Sequence, residues 1–120
     1  MKVAVSAAGP DLSNAVDPRF GRASWFVIVD TDTGVHEAVE NTQNLEAIQG
    51  AGIQSAECVA RKDAKAVLTG HCGPKAFRAL SAAAINVYVG VDGTVGDAVE
   101  RFKAGAFAST EGADVAAHWA

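Results

Sequence analysis

A chain of 120 residues that is 49% apolar and 20% charged carries enough apolar surface for one folded domain, and these proportions exclude wholesale disorder, a collagen-like repeat and a membrane-spanning protein. Ten Lys and Arg against fourteen Asp and Glu give a net charge of −4, which opposes nucleic-acid binding and confines any anion site to a local basic patch. The two cysteines, Cys58 and Cys72, lie far apart with no CxxC pair, so neither a disulfide framework nor a four-thiolate metal site is expected; free thiols in the cytoplasm fit instead.

Residues 2–6 form a short β-branched run without the long apolar region of a secretory signal, and they read as an opening strand. The long connection that follows carries Arg19 and Arg22 on either side of Phe20 and Gly21, and ordered loops of this length in small domains often serve function. Residues 25–29 and 35–39 form a hairpin around turn-forming residues. A helix then opens at Gly50-Ala51-Gly52, with Ile53, Ala56, Val59 and Ala60 at helical spacing and Cys58 off that stripe. A buried-type strand at 66–69 leads into Gly70-His71-Cys72-Gly73, after which Pro74 occupies a favoured first helical position and Phe77 and Leu80 face the sheet. Residues 85–89 are the fifth strand. Thr94 caps a last helix whose stripe is Val95, Ala98, Val99 and Phe102 and whose stop is Gly105. The result is one α/β domain over residues 1–105, in the order βββαβαβα, followed by a loosely docked tail over 106–120 anchored by Phe107 or Trp119.

If the second strand runs antiparallel to its neighbours, the other four point one way, and the connections after them meet at a single sheet edge where α/β proteins bind ligands. These connections are the arginine loop, residues 41–50, Gly70 to Gly73, and Gly90 to Gly93. At this edge the turn before Lys75 ends a strand, offers His71 and Cys72 as metal-active side chains, and begins a helix whose dipole favours an anion and a cysteine thiolate. The bland alternatives are a buried Cys72, a surface His71, and solvated arginines paired with Asp11 or Asp17. Gly50-Ala51-Gly52 lacks P-loop or dinucleotide-fingerprint spacing. His36 and His118 have no ligand-like neighbours, and the strands lack the carboxylate cluster of a metal-dependent nuclease.

Taken together, Val3-Ala4-Val5-Ser6, the stretch from Asp17-Pro18-Arg19-Phe20-Gly21-Arg22 to Ala23, Gly50-Ala51-Gly52, Gly70 to Gly73 before Pro74-Lys75-Ala76-Phe77, and Gly93-Thr94-Val95 through Phe102 to Gly105 resemble the dinitrogenase iron-molybdenum cofactor biosynthesis family, with its NifX-type carriers. The resemblance implies a ribonuclease H-like three-layer α/β fold with a five-stranded mixed sheet, no nuclease activity, and a role in holding metal-sulfur clusters. Asp17 to Arg22 and His71-Cys72 look most like the branch that holds a molybdenum-copper sulfide cluster without covalent attachment; an iron-molybdenum-sulfur precursor is the alternative cargo. Many relatives carry a histidine where this chain has Arg19, so a histidine-ligand role does not transfer there.

Such a cluster brings its own sulfides and negative charge, so it needs cations and donors rather than four thiolates. The expected contacts are Arg19, Phe20, Gly21, Arg22, Gly50, Gly52, Gly70, His71, Cys72, Gly73 and Lys75, with His71 and Cys72 nearest the metal. The expected protein is a cytoplasmic, non-enzymatic monomer or weak dimer that avoids nucleic acid and membranes. The rival reading is a cofactor-free interaction domain acting through a P-loop ATPase partner.

Overall fold

The computed structural model describes residues 1–43 and 50–110. Its elements are β1 (Lys2–Ala7), β2 (Trp25–Asp30), β3 (His36–Glu40), α1 (Ala51–Arg61), β4 (Ala66–Leu68), α2 (Pro74–Ala82), β5 (Asn86–Tyr88) and α3 (Val95–Lys103). This is the expected order, with β4 and β5 shortened to three residues each.

One five-stranded sheet runs β3-β2-β1-β4-β5. Strand β1 pairs antiparallel with β2, Val3 opposite Val29 and Val5 opposite Val27, and parallel with β4, Val3 opposite Ala66. Strands β2 and β3 are antiparallel, and β4 and β5 are parallel. Four strands therefore point the same way and only β2 opposes them, as the sequence suggested. The central strands read as continuous apolar runs because both faces are covered. Ala4, Phe26, Ile28, Val67 and Val87 pack on one face beneath α1 and α2, while Val3, Val5, Val27, Val29, Ala66 and Leu68 pack on the other beneath α3. The ribonuclease H-like arrangement is compatible with this three-layer order.

Helix α3 follows its stripe, burying Val95, Ala98 and Val99, and its Thr94 side chain accepts from the Asp97 amide at 3.1 Å. Helix α1 departs from expectation. Its buried face is Ser55, Ala56, Cys58 and Val59, so Cys58 belongs to the core and Ile53 lies at its margin. The rotation brings the Ser55 hydroxyl inward, where it bonds across the chain to Gly21. Helices α1 and α2 approach closely through small residues, since a Cβ on Gly52 would lie 3.0 Å from that of Ala76. Beyond α3, Phe107 packs against the α3-side core under the Arg101 guanidinium at 5.3 Å, and the Thr110 amide donates to the Val87 carbonyl at 2.7 Å. Phe107 is thus an anchor, whereas His118 and Trp119 lie outside the described residues. Among the described residues no helix is long and apolar enough to cross a membrane.

Candidate functional site

The parallel strands all end at one edge, and the connections beyond them are stitched together by backbone hydrogen bonds. The arginine loop lies against the turn after β4, with the His71 amide donating to Pro18 O at 2.7 Å and the Phe20 amide to His71 O at 3.1 Å. Only glycine fits at position 70 in this zipper, because a Cβ there would sit 2.7 Å from Pro18 Cα and its carbonyl oxygen. The turn after β5 joins on the other side, as the Gly90 amide donates to Gly70 O. Of the connection expected from residues 41–50, Asn41, Thr42, Gln43 and Gly50 are described and residues 44–49 lie outside the described residues.

Two polar anchors hold the loop. At its entry Ser6 Oγ lies 2.7 Å from both the Asp17 carbonyl and Thr69 Oγ1, both hydroxyl residues being fully buried. At its exit Ser55 Oγ lies 3.1 Å from Gly21 O, 3.0 Å from Asn41 Nδ2 and 3.1 Å from Gln43 Nε2. Gln43 also donates to Gly21 O at 2.8 Å and Ala51 O at 3.1 Å, and Asn41 to Ala23 O at 2.8 Å. No sequence signal marked Ser55, Asn41 or Gln43 individually as anchors. Ser55 reads as one small helix residue among several, and its partners lie up to 34 positions away.

Above the second anchor, Gly21, Arg22, Ala51, Gly52, Gly73, Pro74, Lys75 and Ala76 line an open cleft of about 340 Å³. It lies at the start of two helices. The N-caps of α1 and α2 are Gly50 and Gly73, neither helix has a capping side chain, and neither has an acidic residue in its first turn. Helix α3 shows the contrast. Its first amides are taken by its own chain, Val95 by Asn14 O, Gly96 by Leu12 O and Asp97 by Thr94 Oγ1. The amides of Gly52, Ile53, Lys75 and Ala76 find no such acceptor among the described residues. Two helix N-termini, their Gly52, Ile53, Lys75 and Ala76 amides without an acceptor among the described residues and their positive dipole ends forward, converge beside Arg22 and Lys75, both exposed and without an ion pair among the same residues. No carboxylate lines the cleft among the described residues.

The expected contacts divide accordingly. Gly21, Arg22, Gly52, Gly73 and Lys75 line the cleft. Gly50 caps α1, and a Cβ there would meet nothing within 4 Å. Arg19, Gly70 and His71 form the adjoining zipper, and Arg19 is matched to Asp17, whose Oδ1 lies 3.8 Å from Nε and accepts from the Arg19 amide at 2.9 Å. Phe20 and Cys72 lie beneath, each 1% exposed in the core, with the Phe20 ring 5.2 Å from that of Phe26 and Cys72 Sγ 3.8 Å from Gly73 O. Among the described residues no group of three or more His, Cys, Asp or Glu side chains gathers to hold a metal ion. A second hollow, near Lys2, Asp30 and Glu37, lies at the far end of the strands and mixes both charge signs. The edge cleft can therefore cradle an anion through amides and two cations, and offers little to a bare cation.

A mixed sheet with this edge belongs to a class of small α/β domains, and the comparisons place the chain within it. The pattern defining the dinitrogenase iron-molybdenum cofactor family matches residues 1–105, and the chain belongs to that family. It is similar to the orange protein from Desulfovibrio gigas, solved in its apo form, with 45% identity and a TM-score of 0.89 over 94% of this chain and 95% of that one. A NifB-type candidate from Thermotoga shares 33% identity at a TM-score of 0.76, covering 90% of this chain and 91% of its own. An uncharacterized protein of Methanocaldococcus jannaschii is 30% identical over 108 residues, spanning 88% of this chain and 87% of its own.

Proposed function

We propose that this protein is a non-enzymatic cytoplasmic carrier or store for an anionic metal-sulfide cluster, held without covalent attachment, and that a molybdenum-copper sulfide is its cargo. The observation that carries the reading is the cleft where two open helix N-termini meet Arg22 and Lys75 with no carboxylate on its described lining. Buried in a polar cradle of this kind, an anion gains charge-assisted bonds from amides that otherwise face solvent. Membership of the cofactor family and 45% identity to the orange protein support the same cargo class. In this reading exposed His71, in the zipper beside the cleft, is the metal contact, and Cys72 shields the cargo from within the core. Cys58 and Cys72, not joined in a disulfide, fit a reducing compartment.

The test is reconstitution. Apo-protein is incubated with tetrathiomolybdate and copper, desalted, and examined by visible absorption and metal analysis, with an iron-molybdenum-sulfur precursor in parallel. Coloured protein eluting with molybdenum and copper is the expected result, and loading by the iron-containing species alone would shift the cargo to that precursor. Folded but colourless, metal-free protein in both arms would overturn the carrier reading and leave an interaction domain working through an ATPase partner.

A further inference from the structure

Resting on the carrier reading, we infer that Ser55 is a positioning residue that aims a backbone amide, the Arg22 N–H, into the anion cleft. The Gly21 carbonyl accepts from Ser55 Oγ at 3.1 Å and from Gln43 Nε2 at 2.8 Å, so it points inward toward α1. No peptide bond in the described chain is cis. Across a trans peptide the carbonyl and the following N–H point in opposite directions, so fixing the Gly21 oxygen inward turns the Arg22 N–H outward. Gly21 and Arg22 both line the cleft, and this amide has no acceptor among the described residues.

The clamp is chemically complete. A serine hydroxyl has one proton to give and two lone pairs: Ser55 donates to Gly21 O and accepts from Asn41 Nδ2, and its other lone pair faces Gln43 Nε2 at 3.1 Å, whose two protons are divided among Gly21 O, Ala51 O and Ser55 Oγ. Fully buried and fully bonded, it locks the orientation of one peptide plane in a loop that lacks regular secondary structure there. The cleft is thereby supplied with a third source of amide donors beside its two helix N-termini, and this one carries the Arg22 cation on the same residue.

Ser55→Ala and Gln43→Ala each remove part of the clamp, and Gln43, only half-buried, gives a variant that retains the core if the serine variant fails to fold. Tetrathiomolybdate is titrated into folded wild-type and variant protein, following amide NMR shifts and affinity at several salt concentrations. Residual dipolar couplings of the Arg22 N–H are measured without probe. The expected result is a probe-induced Arg22 amide shift in wild type that shrinks in the variants, affinity weaker by about tenfold, the worth of one charge-assisted hydrogen bond, and an unchanged salt slope because no charge is lost. An altered Arg22 coupling in the unliganded variants completes the case. Wild-type affinity and Arg22 shift in a destabilised variant would overturn the positioning role and reduce Ser55 to packing. Wild-type protein that binds no tetrathiomolybdate at all would instead overturn the molybdenum-copper cargo and the amide's part in holding it, while an unaltered coupling would separately overturn the clamp.

Discussion

Cys58 sits in the core beneath α1, where burial pushes its thiol above the ordinary value of about 9 and the Arg61 and Lys62 charges pull only weakly the other way. A raised thiol pKa means that the folded state keeps its proton where the unfolded chain releases it. The thiol's contribution to stability is therefore complete below about pH 9 and declines as pH rises from there toward the folded value. Urea unfolding of wild type and Cys58→Ala from pH 7.5 to 10.5 measures this difference. Wild type should lose stability more steeply above about pH 9 than the variant, and parallel curves would show that Cys58 does not carry the titration. The sequence placed Cys58 off the apolar stripe because periodicity counts methyl groups and ignores hydrogen bonds. Once Ser55 is drawn inward toward Gly21 O, the helix turns and the thiol turns with it.

At the scale of elements, α2 ends in a conformation that its sequence fits poorly. Ala84 has φ +60°, just after the α2 C-cap Ala83, and it carries a Cβ where glycine is the usual choice. The left-handed conformation costs an L-residue roughly 1–2 kcal/mol, and glycine returns part of that gain through its greater unfolded-state freedom, roughly 0.5–1 kcal/mol. Ala84→Gly should therefore stabilise the protein by about 0.5–1 kcal/mol, read as a higher urea midpoint at constant m-value. Asp63→Gly, at φ +59°, should gain less because aspartate tolerates this region better. A lower midpoint for Ala84→Gly would show that the turn is held by contacts of the alanine methyl. The elements themselves were legible wherever local chemistry set them: the Thr94 cap and apolar stripe of α3, Pro74 opening α2, and the β-branched run of β1. The three-residue β4 and β5 were overextended because Thr69, Ile85 and Val89 look strand-like. Buried Thr69 instead turns its hydroxyl toward Ser6 and its amide to Tyr88 O.

For the whole molecule, the cleft places local attraction against global repulsion, and part of that contest was readable beforehand. Arg22, Lys75 and the glycine turns announced a basic edge, but which N-termini stay open could not be read, because it depends on Leu12 and Asn14 carbonyls reaching α3 while, among the described residues, no carbonyl reaches the Gly52, Ile53, Lys75 or Ala76 amides. Nor could the sequence choose between Asp11 and Asp17 as the partner that neutralises Arg19. The remaining pair, Arg22 and Lys75, works inside a chain of net charge −4 that repels an approaching anion. Charges a few ångströms from the anion outweigh the diffuse repulsion of the net charge, because screening over roughly 10 Å at 0.1 M salt weakens distant charges more than near ones. Added salt should thus weaken wild-type binding, since the short-range attraction is the larger quantity that screening removes. Replacing both cations by alanine lowers the net charge from −4 to −6 and leaves uncharged amides within a repelling field. The affinity of Arg22→Ala/Lys75→Ala for tetrathiomolybdate should be lower than wild type at low salt and should hold steady or rise as salt increases. Calorimetric titration at three ionic strengths reads the sign of that slope directly. A negative slope of equal steepness in both proteins would take the cations out of the mechanism, leaving the anion to the helix N-termini and the amides around them.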